Sequence, residues 1–314
     1  MRRVAALLAA ALLGAGLVAC GGGGAEPGAP KGATLVLDFQ PNAVHSGIYA
    51  AQARGYFDDQ GLNLTIREPS STADNAKLLA SGRADLAVMD ISDYGIARER
   101  GVDLVPIAAI AQRPLASVIA RDPGEIRTPA DLAGKTVGVT GVPSDDAVLD
   151  TVLRSGGVDP SDVHRVTIGF DAVADLAAGK VDAATAFWNA EGVQLRQMGI
   201  STREFRVDQF GAPRYPELLV VANTGATEAD TARRFNSALT RAYSDLAKDP
   251  GSALDDLLHS VPGLDPTAQR AELNALTAGQ AFALEGAAAT PRLDRGTVER
   301  WHAWAVRVGL LQAD

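Results

Sequence analysis

LLASGRADLA, residues 78–87, predicts a helix that stops at Gly82, then a basic residue, then a buried strand that opens at Asp85. DLAAGKVDAA, residues 175–184, has the same order of residue types later in the chain. Glycine after a helix suits the left-handed C′ position, and a basic side chain is favourable near the negative end of the helix dipole. The recurrence predicts two lobes of similar architecture. Because such corners recur in unrelated α/β proteins, common ancestry of the two segments stays open.

Short apolar runs alternate with helical patterns on both sides of residues 78–87. Strands are predicted at Thr34–Phe39, Leu62–Arg67, Asp85–Met89 and Leu104–Ala111, with helices at Ala43–Arg54, Ala73–Ser81 and Ser92–Arg100. The alternation restarts at Lys135–Thr140, includes a strand at Asp182–Ala186, and gives way to helical patterns from Glu228 onward. This order predicts an α/β fold with a largely parallel sheet.

Two further apolar stretches, Ala116–Arg121 and Glu217–Asn223, are predicted as crossings between the lobes. Lobe 1 is then predicted from residues 34–115 and 217–314, and lobe 2 from residues 116–216. A chain that leaves lobe 1, builds lobe 2 and returns forms a two-strand hinge. The ligand of such a fold lies in the cleft, near the C-terminal ends of strands from both lobes, and the lobes close around it.

The composition excludes several classes of protein. The 314 residues are 46% hydrophobic and 21% charged, and 29 basic against 38 acidic residues give a net charge of −9. Nucleic-acid binding needs clustered lysines and arginines, so this balance argues against a nucleic-acid partner. The single cysteine excludes a disulfide framework, a cysteine-rich zinc site and a protein-ligated iron–sulfur cluster. We expect no metal, no cofactor and no catalytic residue.

That cysteine, Cys20, lies at the end of a predicted export signal. MRR at residues 1–3 precedes an apolar run over residues 4–18, which is too short to span a bilayer. LVAC at residues 17–20 matches the small-residue pattern before a lipid-modified cysteine, although an ordinary secretion signal with an incidental cysteine also fits. We therefore predict a lipoprotein signal peptide at residues 1–19 and lipidation of Cys20. A flexible tether at residues 20–33 would then hold the protein on the extracytoplasmic face of the cell membrane.

Six segments carry a resemblance to a known family. They are DFQPNAVHSG at residues 38–47, ARGYF at 53–57, GL at 61–62, LASGRAD at 79–85, TPADLAGKTVGV at 128–139 and AFWNAE at 186–191. These segments resemble solute-binding proteins for thiamine-pyrimidine precursors, which belong with the nitrate, sulfonate and taurine binders. The resemblance implies a two-lobed periplasmic-binding-protein type II fold with a helical C-terminal tail. It also implies a small-molecule ligand, a monomeric protein and ABC permease subunits as partners.

Eight candidate ligand-binding residues lie at predicted strand ends and helix starts. They are Asp38, Asn42, His45, Asp90, Tyr94, Ser144, Trp188 and Glu191. An aromatic ring beside a carboxylate suits a flat, hydrogen-bonding heterocycle, so we expect Trp188 to stack on the ligand and Glu191 to accept its donors. A turn or cap is the alternative role for Asp38, and Ser144 suits an N-cap as well as a ligand contact. A buried structural role is the alternative for His45 and Trp188.

Acidic residues dominate the candidate corners: Asp38, Asp90, Asp93, Asp145 and Glu191. No lysine or arginine occurs in these same corners. A sulfonate or nitrate there would bring like charges together in a partly desolvated space, so a neutral or cationic, amine-bearing ligand fits better. Arg113 and Arg214, near the predicted crossings, could still supply positive charge.

Together these features predict a solute-binding lipoprotein of an ABC importer, with a thiamine-type aminopyrimidine or similar nitrogen heterocycle as ligand. A sulfonate, taurine or nitrate binder of the same fold is the first alternative, and a binder of flavin precursors is another. The resemblance also extends to thiamine-pyrimidine synthases, which have a histidine like His45 but use a cysteine-rich iron motif and a cofactor-bearing lysine. An envelope scaffold is a further alternative, but it would not need acidic and aromatic corners in both lobes.

Overall fold

The computed structural model describes residues 30–69, 75–225, 227–283 and 287–313. The predicted signal peptide and Cys20 lie outside the described residues. The first strand begins at Lys31, so residues 31–33 of the predicted tether belong to a sheet. Across the described ranges, no helix has both the length and the apolar character needed to cross a membrane.

The regular elements alternate along most of the chain. The strands are β1 (Lys31–Val36), β2 (Leu62–Arg67), β3 (Leu86–Asp90), β4 (Leu104–Ala111), β5 (Ala116–Arg121), β6 (Thr136–Val139), β7 (His164–Thr167), β8 (Ala183–Phe187), β9 (Thr202–Arg206) and β10 (Leu218–Asn223). The α-helices are α1 (Ser46–Ala53), α2 (Tyr56–Asp59), α3 (Asn75–Ala80), α4 (Ile91–Glu99), α5 (Pro143–Ser155), α6 (Ala172–Ala178), α7 (Glu191–Gln197), α8 (Ala229–Leu246), α9 (Pro250–Ser260), α10 (Pro266–Ala278) and α11 (Arg295–Arg307). Short 3-10 helices lie at Ala43–His45, Pro129–Leu132, Pro160–Asp162 and Val207–Gln209.

Two five-stranded sheets have the same arrangement of strands. The first has the order β2-β1-β3-β10-β4 and the second the order β7-β6-β8-β5-β9. β10 in the first sheet and β5 in the second sheet run antiparallel to both of their neighbouring strands. The other pairs are parallel. The prediction of a largely parallel sheet is therefore only half right, because β5 and β10 each enter their sheet directly from the opposite one.

The repeated segments fold in the same way. Gly82 and Gly179 both have positive φ angles, 66° and 69°, which confirms the left-handed position predicted after each helix. Asp85 and Asp182 then lead into β3 and β8, and each is bonded to the neighbouring parallel strand through both its backbone and its carboxylate. The two segments thus set the register of equivalent strand pairs in the two sheets.

Two chain segments connect the sheets. Residues 112–115 lead from β4 to β5, and residues 207–217 lead from β9 back to β10. The chain therefore changes sheet just before β5 and just before β10. The stretches predicted as the crossings themselves form β5 and β10, which are inner strands of the sheets. We call residues 112–115 the first connection and residues 207–217 the second connection. Lobe 1 below denotes the first sheet with its helices, and lobe 2 the second.

The C-terminal helices return mainly to lobe 1. α8 and α9 pack on α1, and α8 buries an apolar face that includes Phe235, Leu239 and Tyr243. Trp301 and Trp304 of α11 are buried in a separate cluster. α10 reaches further, because it contacts α7 of lobe 2 as well as α9. The tail therefore places one helix beside the cleft between the lobes.

Candidate functional site

A cavity of about 400 Å³ lies between the two sheets and is lined by residues of both lobes. Its walls come from the residues that follow β1, β3, β6, β7 and β8, from the first residues of β5 and β10, and from α10. These positions confirm that the cleft lies at the C-terminal ends of the parallel strands. The volume is in the range of sites that enclose small molecules.

The charged side chains among the described residues of the cavity wall are all carboxyl groups. The acidic residues that line it are Asp38, Asp90, Asp93, Asp145, Glu191, Glu217 and Glu272. Among the described lining residues there is no lysine, arginine or histidine. All five acidic residues expected from the sequence face the cavity, and Glu217 and Glu272 add two that sequence analysis missed.

Asp38 is held in place by His45. β1 ends at Val36, so Asp38 lies in the loop beyond the strand rather than in its last position. His45 Nε2 lies 2.8 Å from Asp38 Oδ1, and His45 Nδ1 accepts the Asn42 backbone N–H at 3.2 Å. Because Nδ1 is an acceptor, the ring proton is on Nε2 and is donated to Asp38. His45 is fully buried and does not line the cavity, so it orients Asp38 instead of contacting a ligand, contrary to the prediction.

Asn42 lines the cavity but its side chain is used locally. Its Oδ1 accepts the Val44 N–H at 3.0 Å, and its Nδ2 donates to the Gln40 carbonyl at 3.1 Å. The residue thereby caps the 3-10 helix that ends at His45. This capping leaves the Asn42 side chain with less capacity for a ligand than the sequence suggested.

Asp90 and Glu217 form a carboxyl pair at the floor of the cavity. Asp90 Oδ1 accepts the Ser92 N–H at 2.6 Å, which caps α4, and its carboxyl is hydrogen-bonded to Glu217. Two carboxyl groups bond in this way only when one carries a proton. Burial and the charge of Asp90 raise the pKa of Glu217 well above its ordinary value, so we place the proton on Glu217.

Glu217 also links the two connections between the lobes. Its Oε2 accepts the backbone N–H of Leu115 at 2.5 Å and that of Ala116 at 3.3 Å. Glu217 belongs to the second connection, whereas Leu115 ends the first. The carboxyl group at the cavity floor is therefore also a structural link within the hinge.

Asp93 and Tyr94 are neighbouring candidates on α4, but they point in different directions. Asp93 lines the cavity, where enclosure by the walls and the charges of Asp90 and Asp38 raise its pKa to about 7. Tyr94 does not line the cavity and packs instead on the apolar cluster that contains Trp301. Successive residues of an α-helix point about 100° apart, so Asp93 and Tyr94 cannot share one direction. The prediction of Tyr94 as a ligand contact is wrong for this geometry.

Lobe 2 supplies the polar groups on the other side of the cavity. Asp145 Oδ2 accepts the Thr140 N–H at 2.6 Å and the Thr185 hydroxyl at 2.7 Å, and Ser144 lines the cavity beside it. Glu191 Oε2 accepts the Phe187 N–H at 2.9 Å. Burial raises the pKa of Glu191, since a buried carboxylate loses its hydration. Ser144 and Glu191 thus lie where the sequence placed them, at the cavity wall.

Trp188 is absent from the cavity wall. It is fully buried in the apolar core of lobe 1, and its Nε1 donates to the Pro114 carbonyl at 2.9 Å. The guanidinium carbon of Arg206 lies 4.0 Å from the ring centroid, and Gly279 approaches the ring edge so closely that a side chain there would collide with it. The ring has no face available to a ligand, so the predicted stacking role does not fit and the core-packing alternative does.

Other aromatic rings occupy the cavity instead. Phe39 of lobe 1 and Phe170 of lobe 2 face each other with ring centroids 6.3 Å apart and planes tilted by 40°. Their exposed fractions are 48% and 75%, and Phe187 also lines the wall. Phe39 and Phe187 are neighbours of residues singled out from the sequence. Phe170 lies in the loop after β7, where no motif marks it.

The two arginines near the connections do not supply charge to the cavity. Arg113 Nε donates to Asp208 at 2.7 Å and its Nη1 to the Gly279 carbonyl at 2.8 Å. Arg214 Nη2 donates to the carbonyls of Gln280 and Ala283. Neither arginine lines the cavity. Within the described ranges no group of three or more His, Cys, Asp or Glu residues is arranged to hold a metal ion.

Comparison with known proteins adds family relationships to this geometry. Residues 42–253 match the family model described as NMT1/THI5 like. The chain is similar to the formylaminopyrimidine-binding protein of Halalkalibacterium halodurans, at 32% identity over 227 residues, which are 71% of this chain and 69% of that protein. It is also similar to the 4-amino-5-hydroxymethyl-2-methylpyrimidine phosphate synthase THI12 of Saccharomyces cerevisiae, at 24% identity over 245 residues, 74% of this chain and 72% of the synthase.

A solved structure establishes the fold class. The periplasmic aliphatic sulphonate binding protein SsuA from Escherichia coli superposes with a TM-score of 0.70 and covers 90% of this chain and 91% of that chain, at 16% identity. This likeness, with the two sheets and their two connections, confirms the predicted two-lobed periplasmic-binding-protein type II fold.

Proposed function

The chain belongs to the NMT1/THI5-like family, and from this premise we propose that it is an extracytoplasmic solute-binding protein for a thiamine-type aminopyrimidine or a closely related nitrogen heterocycle. The observation that carries the proposal is the acidic cavity between the lobes, lined by seven carboxyl residues and, among the described residues, by no basic side chain. Such a wall accepts hydrogen bonds and favours amino groups, ring N–H groups and positive charge.

The charge of the wall separates the two leading ligand classes. A sulfonate or nitrate would lie beside carboxylates without a compensating cation, and its charge would be only weakly screened in the enclosed space. An aminopyrimidine instead presents N–H donors to Asp38 and Glu191. Asp38 is fixed by His45 and Glu191 by the Phe187 amide, so both carboxylates are held in position before the ligand arrives.

The aromatic rings suit the flat part of such a ligand. Phe39 and Phe170 come from opposite lobes and leave much of their surface exposed at the cavity. A heterocycle that contacts both rings would join the lobes and stabilise the closed form, because it binds that form preferentially. This arrangement replaces the stacking role first assigned to Trp188.

The fold and the sequence features outside the described residues support a transport role. Closure of two lobes around a ligand is the motion expected for binding proteins that deliver solutes to a permease. We propose an ABC importer as the partner and a lipid anchor at Cys20 as the attachment. Synthase activity, as in the yeast relative, is the second candidate function. The chain has one cysteine, and no lysine is among the described residues of the cavity wall, so binding is the function better supported.

A ligand panel tests the proposal. The purified full-length protein is heated with thiamine-type aminopyrimidines, thiamine, riboflavin, taurine, alkanesulfonates or nitrate, and its melting temperature is recorded. A ligand at one hundred times its Kd stabilises the folded state by about 2.7 kcal/mol, which gives a clear shift. We expect a shift with aminopyrimidines alone. A shift with sulfonates or nitrate alone would contradict the argument from charge.

Alanine substitution of the two facing rings tests the contact across the cleft. Stacking of a base on an aromatic ring is worth about 1–3 kcal/mol, so Phe39→Ala and Phe170→Ala should each weaken aminopyrimidine binding by about 5- to 150-fold. Met198→Ala is the control, because Met198 is an exposed apolar residue of lobe 2 outside the cavity wall. Calorimetry measures the affinity of each variant. Unchanged affinity in both phenylalanine variants would refute the stacking role.

A further inference from the structure

The residues that follow α10 contact both connections between the lobes. We call residues 279–283 the post-α10 segment. Its Ala281 and Phe282 are buried in the apolar core of lobe 1, where Phe282 packs edge-on against Tyr243 with ring centroids 6.2 Å apart. The family match ends at residue 253, so the segment lies beyond the residues that the family model describes.

The first connection donates two hydrogen bonds to the post-α10 segment. The Gln112 backbone N–H donates to the Ala281 carbonyl at 2.5 Å, and Arg113 Nη1 donates to the Gly279 carbonyl at 2.8 Å. Arg113 Nε also donates to Asp208 of the second connection at 2.7 Å, and both side chains of this ion pair are largely buried. Arg113 therefore joins the two connections and the post-α10 segment.

The second connection is bonded to the same segment. Arg214 Nη2 donates to the carbonyls of Gln280 and Ala283, both at 2.7 Å. Gln280 has a φ angle of 55°, and among the residues that the structure describes it is the one residue other than glycine with a positive φ. A side chain makes this backbone conformation unfavourable, so surrounding contacts must hold it. The bond from Arg214 is one of those contacts.

The glycine of the post-α10 segment makes room for Trp188. Glycine is favoured at the left-handed position after a helix, but here Gln280 takes that position and Gly279 has a φ angle of −76°. A Cβ at residue 279 would lie 2.5 Å from Trp188 Cη2, which is a collision. Trp188 directly follows β8 of lobe 2, so Gly279 forms the seat of a lobe 2 side chain inside the core of lobe 1.

α10 connects this seat to the cavity. Gln269 and Glu272 of α10 line the cavity wall, and the helix packs on α7 of lobe 2 and on the 3-10 helix at Ala43–His45 of lobe 1. Phe39 and Phe170 meet across the cleft, so the contacts of the post-α10 segment belong to an arrangement in which the lobes touch. A displacement of the segment therefore changes both the angle between the lobes and one wall of the cavity.

We propose that Arg113, Arg214 and Gly279 are positioning residues of the binding site, which set the angle between the lobes through the post-α10 segment. None of the three lines the cavity. The hinge then has three elements, the two connections and this segment, and lobe 2 turns about Trp188 on its seat at Gly279. The inference does not depend on the identity of the ligand. Any ligand that binds the closed form preferentially loses affinity when that form becomes less populated.

The Gly279→Ala variant tests the seat. Alanine tolerates the backbone angles at this position, so its effect comes from the collision with Trp188. Small-angle X-ray scattering of the unliganded full-length protein should give a larger radius of gyration for Gly279→Ala than for wild type. Trp188→Phe lacks the outer ring atoms that the Cβ meets, so adding Gly279→Ala to Trp188→Phe should cause no further increase. Gly32→Ala is the control, because a Cβ there meets no atom within 4 Å.

Binding kinetics test the same inference through the ligand. The probe is 4-amino-5-hydroxymethyl-2-methylpyrimidine, and the readouts are its association and dissociation rates. Gly279→Ala should raise the dissociation rate by about 5- to 150-fold, because a less stable closed form reopens sooner. Arg214→Met removes the bonds to Gln280 and Ala283 and should raise the rate by about 2- to 10-fold. Association should change less than dissociation in both variants. Arg300→Met, at an exposed position of α11, is the control.

The outcomes separate the positioning role from the proposed function. A radius of gyration for Gly279→Ala equal to that of wild type would overturn the inference, whether or not the pyrimidine binds. Failure of the wild-type protein to bind the pyrimidine would count against the proposed function and leave the scattering result to decide the inference. A lower melting temperature with unchanged radius and unchanged dissociation rate would assign these residues to stability alone, which also overturns it.

Discussion

The two lobes share one strand order but differ in the corner that follows their central parallel strand. In lobe 1, β3 passes directly from Asp90 into α4, and the Asp90 carboxyl is occupied by its own helix cap and by Glu217. In lobe 2, three residues separate β8 from α7, and the Glu191 carboxyl bonds to the Phe187 amide beside the cavity. Equivalent positions in the fold therefore hold carboxyl groups that have different hydrogen-bond partners.

The three added residues explain much of the difference. They carry Trp188 out of lobe 2 and into the core of lobe 1, where it contacts Pro114 of the first connection and Arg206 just before the second. The shared topology places a side chain at the cleft or near it, but contacts across the hinge decide whether it binds ligand or joins the lobes. Lobe 1 uses Glu217 for that junction, and lobe 2 uses Trp188.

Removal of Trp188 should have the largest effect on stability. Trp188→Ala leaves a cavity at the junction of the lobes and unpairs the Pro114 carbonyl, so we expect a loss of about 3–5 kcal/mol of unfolding free energy. Urea unfolding measures it. Phe170→Ala, which removes an exposed ring of the same lobe, should change stability by less than about 0.5 kcal/mol. A Trp188→Ala protein of normal stability that no longer binds ligand would restore the stacking role.

Glu217 is the corresponding test in lobe 1. Glu217→Ala removes the acceptor for the buried Leu115 N–H and the partner of Asp90, and should cost about 1–3 kcal/mol. Glu217→Gln keeps an acceptor for Leu115 and directs an N–H group where the carboxyl proton lies, so its unfolding free energy should stay within about 1 kcal/mol of wild type. Equal losses in both variants would show that the ionised form is the one required.

The pH dependence of the unfolding free energy tests whether Glu217 carries the proton that it shares with Asp90. The pKa of Glu217 is raised on folding, so the folded state keeps a proton that the unfolded chain releases above about pH 4.3. Its contribution to stability is therefore full at lower pH and is lost as the pH rises through the higher pKa of the folded state. In urea titrations from about pH 5 to about pH 8, Glu217→Gln should show a shallower fall in stability than wild type. Identical slopes would contradict the shared proton.

Local sequence patterns were sufficient to predict the main strands and helices and the strand ends at which the cleft lies. The predicted strands at residues 62–67 and 104–111 coincide with β2 and β4, and the other predicted strands differ by a few residues at their ends. Strand periodicity, helix-ending glycines and strand-end carboxylates are all properties of neighbouring residues. They therefore located Asp38, Asp90, Asp145 and Glu191 at the cavity wall without knowledge of the packing.

The rest of the site depends on contacts between distant parts of the chain. Glu272 reaches the cavity only because α10 packs across α7, and no motif on α10 indicates that packing. Phe170 becomes part of the wall because its loop faces Phe39 of the other lobe. Trp188 and Glu191 are three residues apart in one motif, yet the first enters a core and the second a cavity. Such a division is decided by the partner surface, which the motif does not contain.

The smallest effect we predict concerns the repeat itself. Asp85 Oδ2 accepts the Thr34 N–H at 2.7 Å, and Asp182 Oδ2 accepts the Thr136 N–H at 2.8 Å, the same contact in the two lobes. Asp85→Ala and Asp182→Ala should each cost about 1 kcal/mol, with Asp85→Ala the larger because Asp182 is exposed and water can replace its bond. Neither residue lines the cavity, so ligand affinity should be unchanged. Since the sites share no partner, the double variant should lose the sum of the single losses within about 0.5 kcal/mol. A clear departure from that sum in urea unfolding would show that the two sites interact energetically across the lobes, through contacts such as those of Trp188 and Glu217.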